Sequence, residues 1–212
     1  VTGDKLLDVA PVVPVVVLHD IRRAVPVARA LARGGVGIAE ITLRTPAALA
    51  AIRRIAAEVP EILVGAGTVT RAEHALDAAA AGARFLVTPG TTPDLLTACE
   101  DTGLPLLPGA STVSEAMCLA ERGYTALKFF PARACGGVDF LRSVAGPLPG
   151  LRFCPTGGIT VDTAPEYLAL STVGCVGGSW LTPAAAPDDA VERLARESTL
   201  LGYRPEGFGA PT

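Results

Sequence analysis

The sequence predicts a closed (β/α)8 barrel of the TIM type, and three observations carry that expectation. Eight strand-and-helix units follow one another at fairly regular spacing, and no break between them resembles a linker. Strands such as Val12 to Leu18 are apolar on both faces, as in a parallel sheet covered by helices. The composition is 50% hydrophobic and 18% charged, with 23 glycines and 18 prolines, which suits a well-buried interior joined by tight connections. At 212 residues one domain suffices, spanning 1–212. A barrel of about 250 residues is usual, so the helices and loops here must be short. An open doubly wound sheet is the rival, and eight units disfavour it.

The elements follow in order. Residues 2–8 read as a short leading helix. Pro11 and Pro14 admit a valine-rich strand to Leu18, and Ile21 to Arg33 has a helical stripe at Val25, Ala28 and Leu31, with Pro26 near its start. Val36 to Thr42 is the second strand, and Thr45-Pro46 reads as a cap and first helical residue for a helix to Glu58. Ile62 to Ala66 is the third strand. Thr70 to Glu73 has the pattern of a capping box before an alanine-rich helix ending near Gly82. Arg84 to Val87 precedes a helix over Thr92 to Asp101, and Leu104 to Leu107 precedes a second capping box, Thr112 to Glu115, whose helix runs to Arg122. The sixth strand, Thr125 to Lys128, is followed by a helix over Val138 to Val144. Arg152 to Cys154, a helix near Thr163 to Leu170, Val173 to Val176 and a helix over Asp188 to Leu200 complete the series. Residues 202–212 have little to bury and read as a surface tail.

Several classes of protein are disfavoured. A net charge of −3 argues against a general nucleic-acid surface. No uninterrupted apolar run could span a membrane, and the amino terminus does not resemble a signal peptide. Five widely spaced cysteines, with no CxxC pair, fit small buried side chains in a reducing, cytoplasmic compartment. With two histidines, His19 and His74, a multi-histidine metal centre is excluded, and no metal site is expected.

The carboxyl ends of the strands hold the informative residues. Lys128 ends a short strand, where an ammonium group loses hydration unless something compensates. Held among aromatic and aliphatic neighbours, such an amine can become a nucleophile towards a carbonyl. The ordinary alternative is a lysine whose stem lies on Phe129 or Phe130 while its head reaches water. Glu40 lies between Ala39 and Ile41 in the second strand, which stands opposite the sixth in an eight-strand ring. The two could therefore face one cavity, as a catalytic pair or as a structural ion pair. Arg44 offers a planar fork for a substrate carboxylate, or a rim ion pair.

Gly65-Ala66-Gly67-Thr68, Thr88-Pro89-Gly90 and Pro108-Gly109 end the third, fourth and fifth strands, each a weak signal alone. Pro155-Thr156-Gly157-Gly158-Ile159 and Gly177-Gly178-Ser179-Trp180 end the last two. Barrels often hold a phosphate between these loops on backbone amides, and Ser179 adds a hydroxyl donor; two plain glycine turns are the alternative.

Taken together, these motifs resemble the 2-keto-3-deoxy-6-phosphogluconate (KDPG) and 4-hydroxy-2-oxoglutarate (KHG) aldolase family. The resemblance runs in order from Pro11-Val12-Val13-Pro14-Val15 through Glu40 to Thr45, Gly65 to Val69, Pro108 to Thr112, Lys128 to Ala132, Arg152 to Ile159 and Gly177 to Leu181. It implies Lys128 as Schiff-base lysine and Glu40 as general acid/base. It also places Arg44, Thr68, Thr88, Pro89, Gly90 and Phe130 around the pyruvate portion, and Gly157, Gly158, Gly178 and Ser179 at the phosphate end. A homotrimer and a mechanism without cofactor are further implications. Thr88 stands where a serine is common, and His19-Asp20 lies in a variable region. A preference for the phosphogalactonate epimer, a phosphate-binding barrel isomerase or epimerase, and a non-catalytic phosphosugar-binding barrel are the alternatives.

Overall fold

The computed structural model describes residues 3–201. The strands are β1 (Val12–Val16), β2 (Ile38–Thr42), β3 (Leu63–Gly67), β4 (Leu86–Val87), β5 (Leu106–Leu107), β6 (Gly109–Ala110), β7 (Ala126–Phe129), β8 (Arg152–Pro155) and β9 (Val176–Gly178). All the ladders between them are parallel: β5-β4-β3-β2-β1-β9 form one sheet and β6-β7-β8 the other. Two seams join the sheets into a ring. β5 and β6 are halves of one stave interrupted at Pro108, whose carbonyl accepts from Lys128 N at 2.8 Å. β8 meets the last stave through the bridges Phe153–Val173 and Thr156–Gly177. The result is the eight-stave barrel expected.

The helices are α1 (Gly3–Leu6), α2 (Ala24–Arg33), α3 (Ala48–Glu58), α4 (Ala72–Ala80), α5 (Pro93–Asp101), α6 (Val113–Glu121), α7 (Gly137–Ala145), α8 (Ala164–Leu168) and α9 (Asp188–Thr199). Their apolar faces pack on the strands in one continuous core. Ile21–Arg23 forms a 3-10 turn capped by Asp20, so the second helix begins at Ala24 and Pro26 falls in its first turn, where its missing donor costs nothing.

Three local expectations need correction. Thr45 does not cap a helix: its hydroxyl donates to the Leu18 carbonyl, and α3 starts two residues late, behind Ala47. The Thr70–Glu73 capping box does not form. Arg71 is the residue before α4, with no side-chain cap, and the Thr70 hydroxyl meets His74 Nδ1 at 3.4 Å. The last strand lies at Val176–Gly178 rather than at Val173 to Val176, because Pro11 O takes the Val176 amide and sets the register with β1. The Thr112–Glu115 box forms as expected, and Thr92 caps α5. The leading helix is confined to Gly3–Leu6, with residue 2 and the predicted tail 202–212 outside the described residues. Among the described residues no helix is long and apolar enough to cross a membrane.

Candidate active site

Side-chain alternation on β7 sets the direction of Lys128. The ring of Phe129 stacks on Phe140 of α7 with centroids 4.5 Å apart, on the helical side of the sheet. Lys128 is therefore turned into the barrel. There its Nζ lies 3.1 Å from Glu40 Oε1 and 3.3 Å from Oε2. The residues are 4% and 3% exposed, so the pair is buried in full. Removing one partner of such a pair leaves a stranded charge and costs about 3–5 kcal/mol.

Gly67 makes room for this pair. A side-chain carbon built there would fall within the Glu40 carboxylate, while Phe85 fills the corresponding space over Gly65, two residues earlier on the same face. Two glycines spaced by two in one strand permit close approach, and here a large side chain fills each place. Directly beyond Gly67, Thr68 has φ of +58°, a left-handed conformation that is strained for a β-branched residue and costs about 1–3 kcal/mol. In that conformation its hydroxyl accepts a 3.1 Å hydrogen bond from Arg44 Nε. Arg44 is otherwise exposed and has no ion-pair partner among the described residues, so its fork is open at the mouth.

Phe130 links the pair to the late loops. Its ring centroid is 5.5 Å from Lys128 Nζ, and its edge lies 3.1 Å from where a Gly157 side chain would begin. Gly157 and Gly158 have φ of +102° and +76°, a geometry that glycine adopts without strain. Gly178 is buried with the Trp180 ring against it, and Ser179 is exposed at the rim. Thr156, which sequence reasoning left unassigned, has its buried hydroxyl beside Gly177 and 3.3 Å from the Cys154 carbonyl.

Other residues are placed differently. Thr88 is buried, and its hydroxyl accepts from Gly109 N at 2.9 Å and meets Thr91 Oγ1 at 3.1 Å, so it stitches the barrel wall. Pro89 packs over Gly109, whereas Gly90 stands in open space. His19 is exposed and lines a separate hollow of about 310 Å³, beside Thr182, whose hydroxyl is buried and unpartnered among the described residues. Three cysteines are buried as expected, but Cys118 is exposed and Cys135 half-buried. Burial pushes the Cys99 thiol up to about 11. The Cys175 thiol is pushed well up by hydrogen bonding to Cys154 and by burial. Among the described residues no three His, Cys, Asp or Glu side chains are grouped as metal ligands would be.

An amine and a carboxylate buried together at the mouth of a (β/α)8 barrel define an enzyme equipped for carbonyl chemistry. The family model "Aldolase: KDPG and KHG aldolase" matches residues 4–196, and the chain belongs to that family. It is 50% identical over 201 residues to the 2-dehydro-3-deoxy-phosphogluconate aldolase of Dickeya dadantii, covering 93% of this chain and 94% of the relative. It is 49% identical over 201 residues to the KHG/KDPG aldolase of Escherichia coli K12, with the same coverage. Among solved structures, the KDPG aldolase of Legionella pneumophila, with pyruvate captured as a covalent carbinolamine, superposes with a TM-score of 0.91. It is 40% identical and covers 94% of this chain and 98% of its own.

Proposed function

We propose that this chain is a class I aldolase that cleaves 2-keto-3-deoxy-6-phosphogluconate to pyruvate and glyceraldehyde 3-phosphate, with Lys128 as nucleophile and Glu40 as proton carrier. The observation that carries the residue assignment is the buried 3.1 Å contact between these two groups. As substrate enters, Glu40 can accept a proton from Nζ and free the amine to attack the 2-oxo carbon. Glu40 returns that proton to the carbinolamine hydroxyl, which leaves as water, and the resulting iminium accepts the electron pair of the breaking C3–C4 bond. Glu40, directly or through a water molecule, takes the C4 hydroxyl proton as glyceraldehyde 3-phosphate leaves. The enamine is then protonated at C3, and hydrolysis returns pyruvate and the free lysine.

In this reading Arg44, steadied by Thr68, holds the substrate carboxylate, and Phe130 covers the imine. Thr88 supports the same wall through Gly109, while Pro89 and Gly90 border the mouth. Gly157, Gly158, Gly178 and Ser179 take the phosphate. Cleavage of 4-hydroxy-2-oxoglutarate to pyruvate and glyoxylate is a second activity, supported by the dual name of the Escherichia coli relative. A homotrimer, which sedimentation equilibrium would check, and a cytoplasmic setting, suited to five free thiols, complete the reading.

The test is intact mass after incubation with pyruvate and sodium borohydride, followed by peptide mapping. A reduced pyruvyl adduct on Lys128 is expected. A folded protein that forms no adduct would move the reading to a phosphate-binding isomerase. Relative turnover of the phosphogluconate and phosphogalactonate epimers settles which is the substrate.

A further inference from the structure

The loop after β7 carries a second cation, in addition to Lys128 on the strand itself. Arg133 is five residues downstream of the lysine, and its backbone is fixed: Ala132 N donates to Thr156 O at 2.8 Å and Arg133 N to Gly157 O at 3.1 Å. Its stem lies across Gly158, with Cβ 2.8 Å and Cδ 3.0 Å from where a side chain on that glycine would begin. The side chain is exposed and makes no hydrogen bond or ion pair among the described residues, whereas Arg54 and Arg193 are each tied to a glutamate one helical turn away. The Tyr167 phenol of α8 is pushed up by burial and by Glu166, and Arg133 works against that rise.

We propose that Arg133 is a cationic clamp for the phosphoryl group of the substrate and that it sets the preference for a phosphorylated over an uncharged chain end. This rests on the reading of Gly157, Gly158, Gly178 and Ser179 as the phosphate end. Backbone amides supply donors there, and a guanidinium adds full charge and a two-pronged donor set matched to phosphate oxygens. The nucleophile lies on β7 and the clamp in the loop that follows, five residues along the chain.

The experiment compares kcat/KM for 2-keto-3-deoxy-6-phosphogluconate with that for its unphosphorylated counterpart in wild type, R133Q and R133K, at low and high salt. The ratio is expected to fall about tenfold in R133Q, mainly through KM, and to be restored in large part in R133K. The salt dependence of KM should flatten in R133Q, because a screened attraction has been removed. Inorganic phosphate, added as competitor, should inhibit wild type more strongly than R133Q. An unchanged ratio, with phosphate competing equally against both proteins, overturns the clamp and leaves the phosphate end standing. Failure of phosphate to compete with wild type overturns the phosphate end itself, and the clamp with it.

Discussion

At the amino-terminal end of the barrel, Arg152 reaches Asp8 at 2.6 Å and Asp4 at 3.3 Å, with side chains from one third to more than one half exposed. At the carboxyl end of the neighbouring strand, Lys128 meets Glu40 at 3.1 Å with both side chains almost sealed from water. Two hollows of about 680 and 530 Å³ lie at the amino-terminal end, bordered by Asp4 and Glu100 and by Asp8 and Arg152. Open hollows therefore mark one end and buried charge the other. The chemistry proposed for this chain lies with the buried charge. An exposed pair in water is worth at most about 1 kcal/mol, whereas a pair without water must be held by geometry, and that geometry is available to a substrate. Strain is likewise found beside the buried pair, where Thr68 has its left-handed backbone.

Substitutions at the two ends sharpen the contrast. K128M should abolish pyruvate trapping and lower cleavage by at least about 10⁴-fold, while R152M should keep cleavage near wild type and lose about 1 kcal/mol of stability or less. Loss of turnover in folded R152M would end the distinction between the two ends. E40Q, measured by single-turnover trapping and by cleavage, should retain the barrel and lose about 10²- to 10⁴-fold in rate. G67A, which only adds a methyl, should cost about 10²-fold in cleavage, since the carboxylate must move by an ångström or so; a normal rate would show that Glu40 tolerates displacement. The smallest effect concerns the capping box of α6. Hydrogen bonds from the Ser111 amide and from Thr112 hold the Glu115 carboxyl below its ordinary 4.5. A depressed carboxyl contributes stability above its unfolded value and loses it as pH falls through the folded one. E115Q should therefore cost less than about 1 kcal/mol at neutral pH and should lessen the fall in stability below pH 4.5, as read by urea midpoints.

The barrel was legible because its evidence is redundant: eight apolar runs, each followed by a helical stripe, survive an error in any one boundary. Boundaries were less legible, for a physical reason. Thr45 and Thr70 have the right spacing for caps, but Leu18 O and His74, contributed by another loop and by the helix face, take their hydroxyls. A cap is readable only where nothing else competes for it, as at Thr112, which sits on the exposed rim. At the mouth, Lys128 and Glu40 were visible because a charge inside a short apolar strand lacks any surface explanation. Arg133 was not, since an arginine in a loop has every surface explanation until its stem is seen on Gly158. Thr88 and Thr91 show the same limit, as a shared hydroxyl contact across a turn leaves no pattern.

The Lys128–Glu40 contact spans 88 positions of sequence and joins opposite sides of the ring. Neither the first four staves nor the last four contain it. A half-barrel could collapse, bury valines and form its own helices while holding only one member of the pair. Such long-range contacts form late, once the cost of closing the intervening chain has been met. Under the proposed mechanism, borohydride trapping at Lys128 is thus a reporter of ring closure. During refolding, trapping should rise after the helical signal and together with protection of the β7 amides from hydrogen exchange.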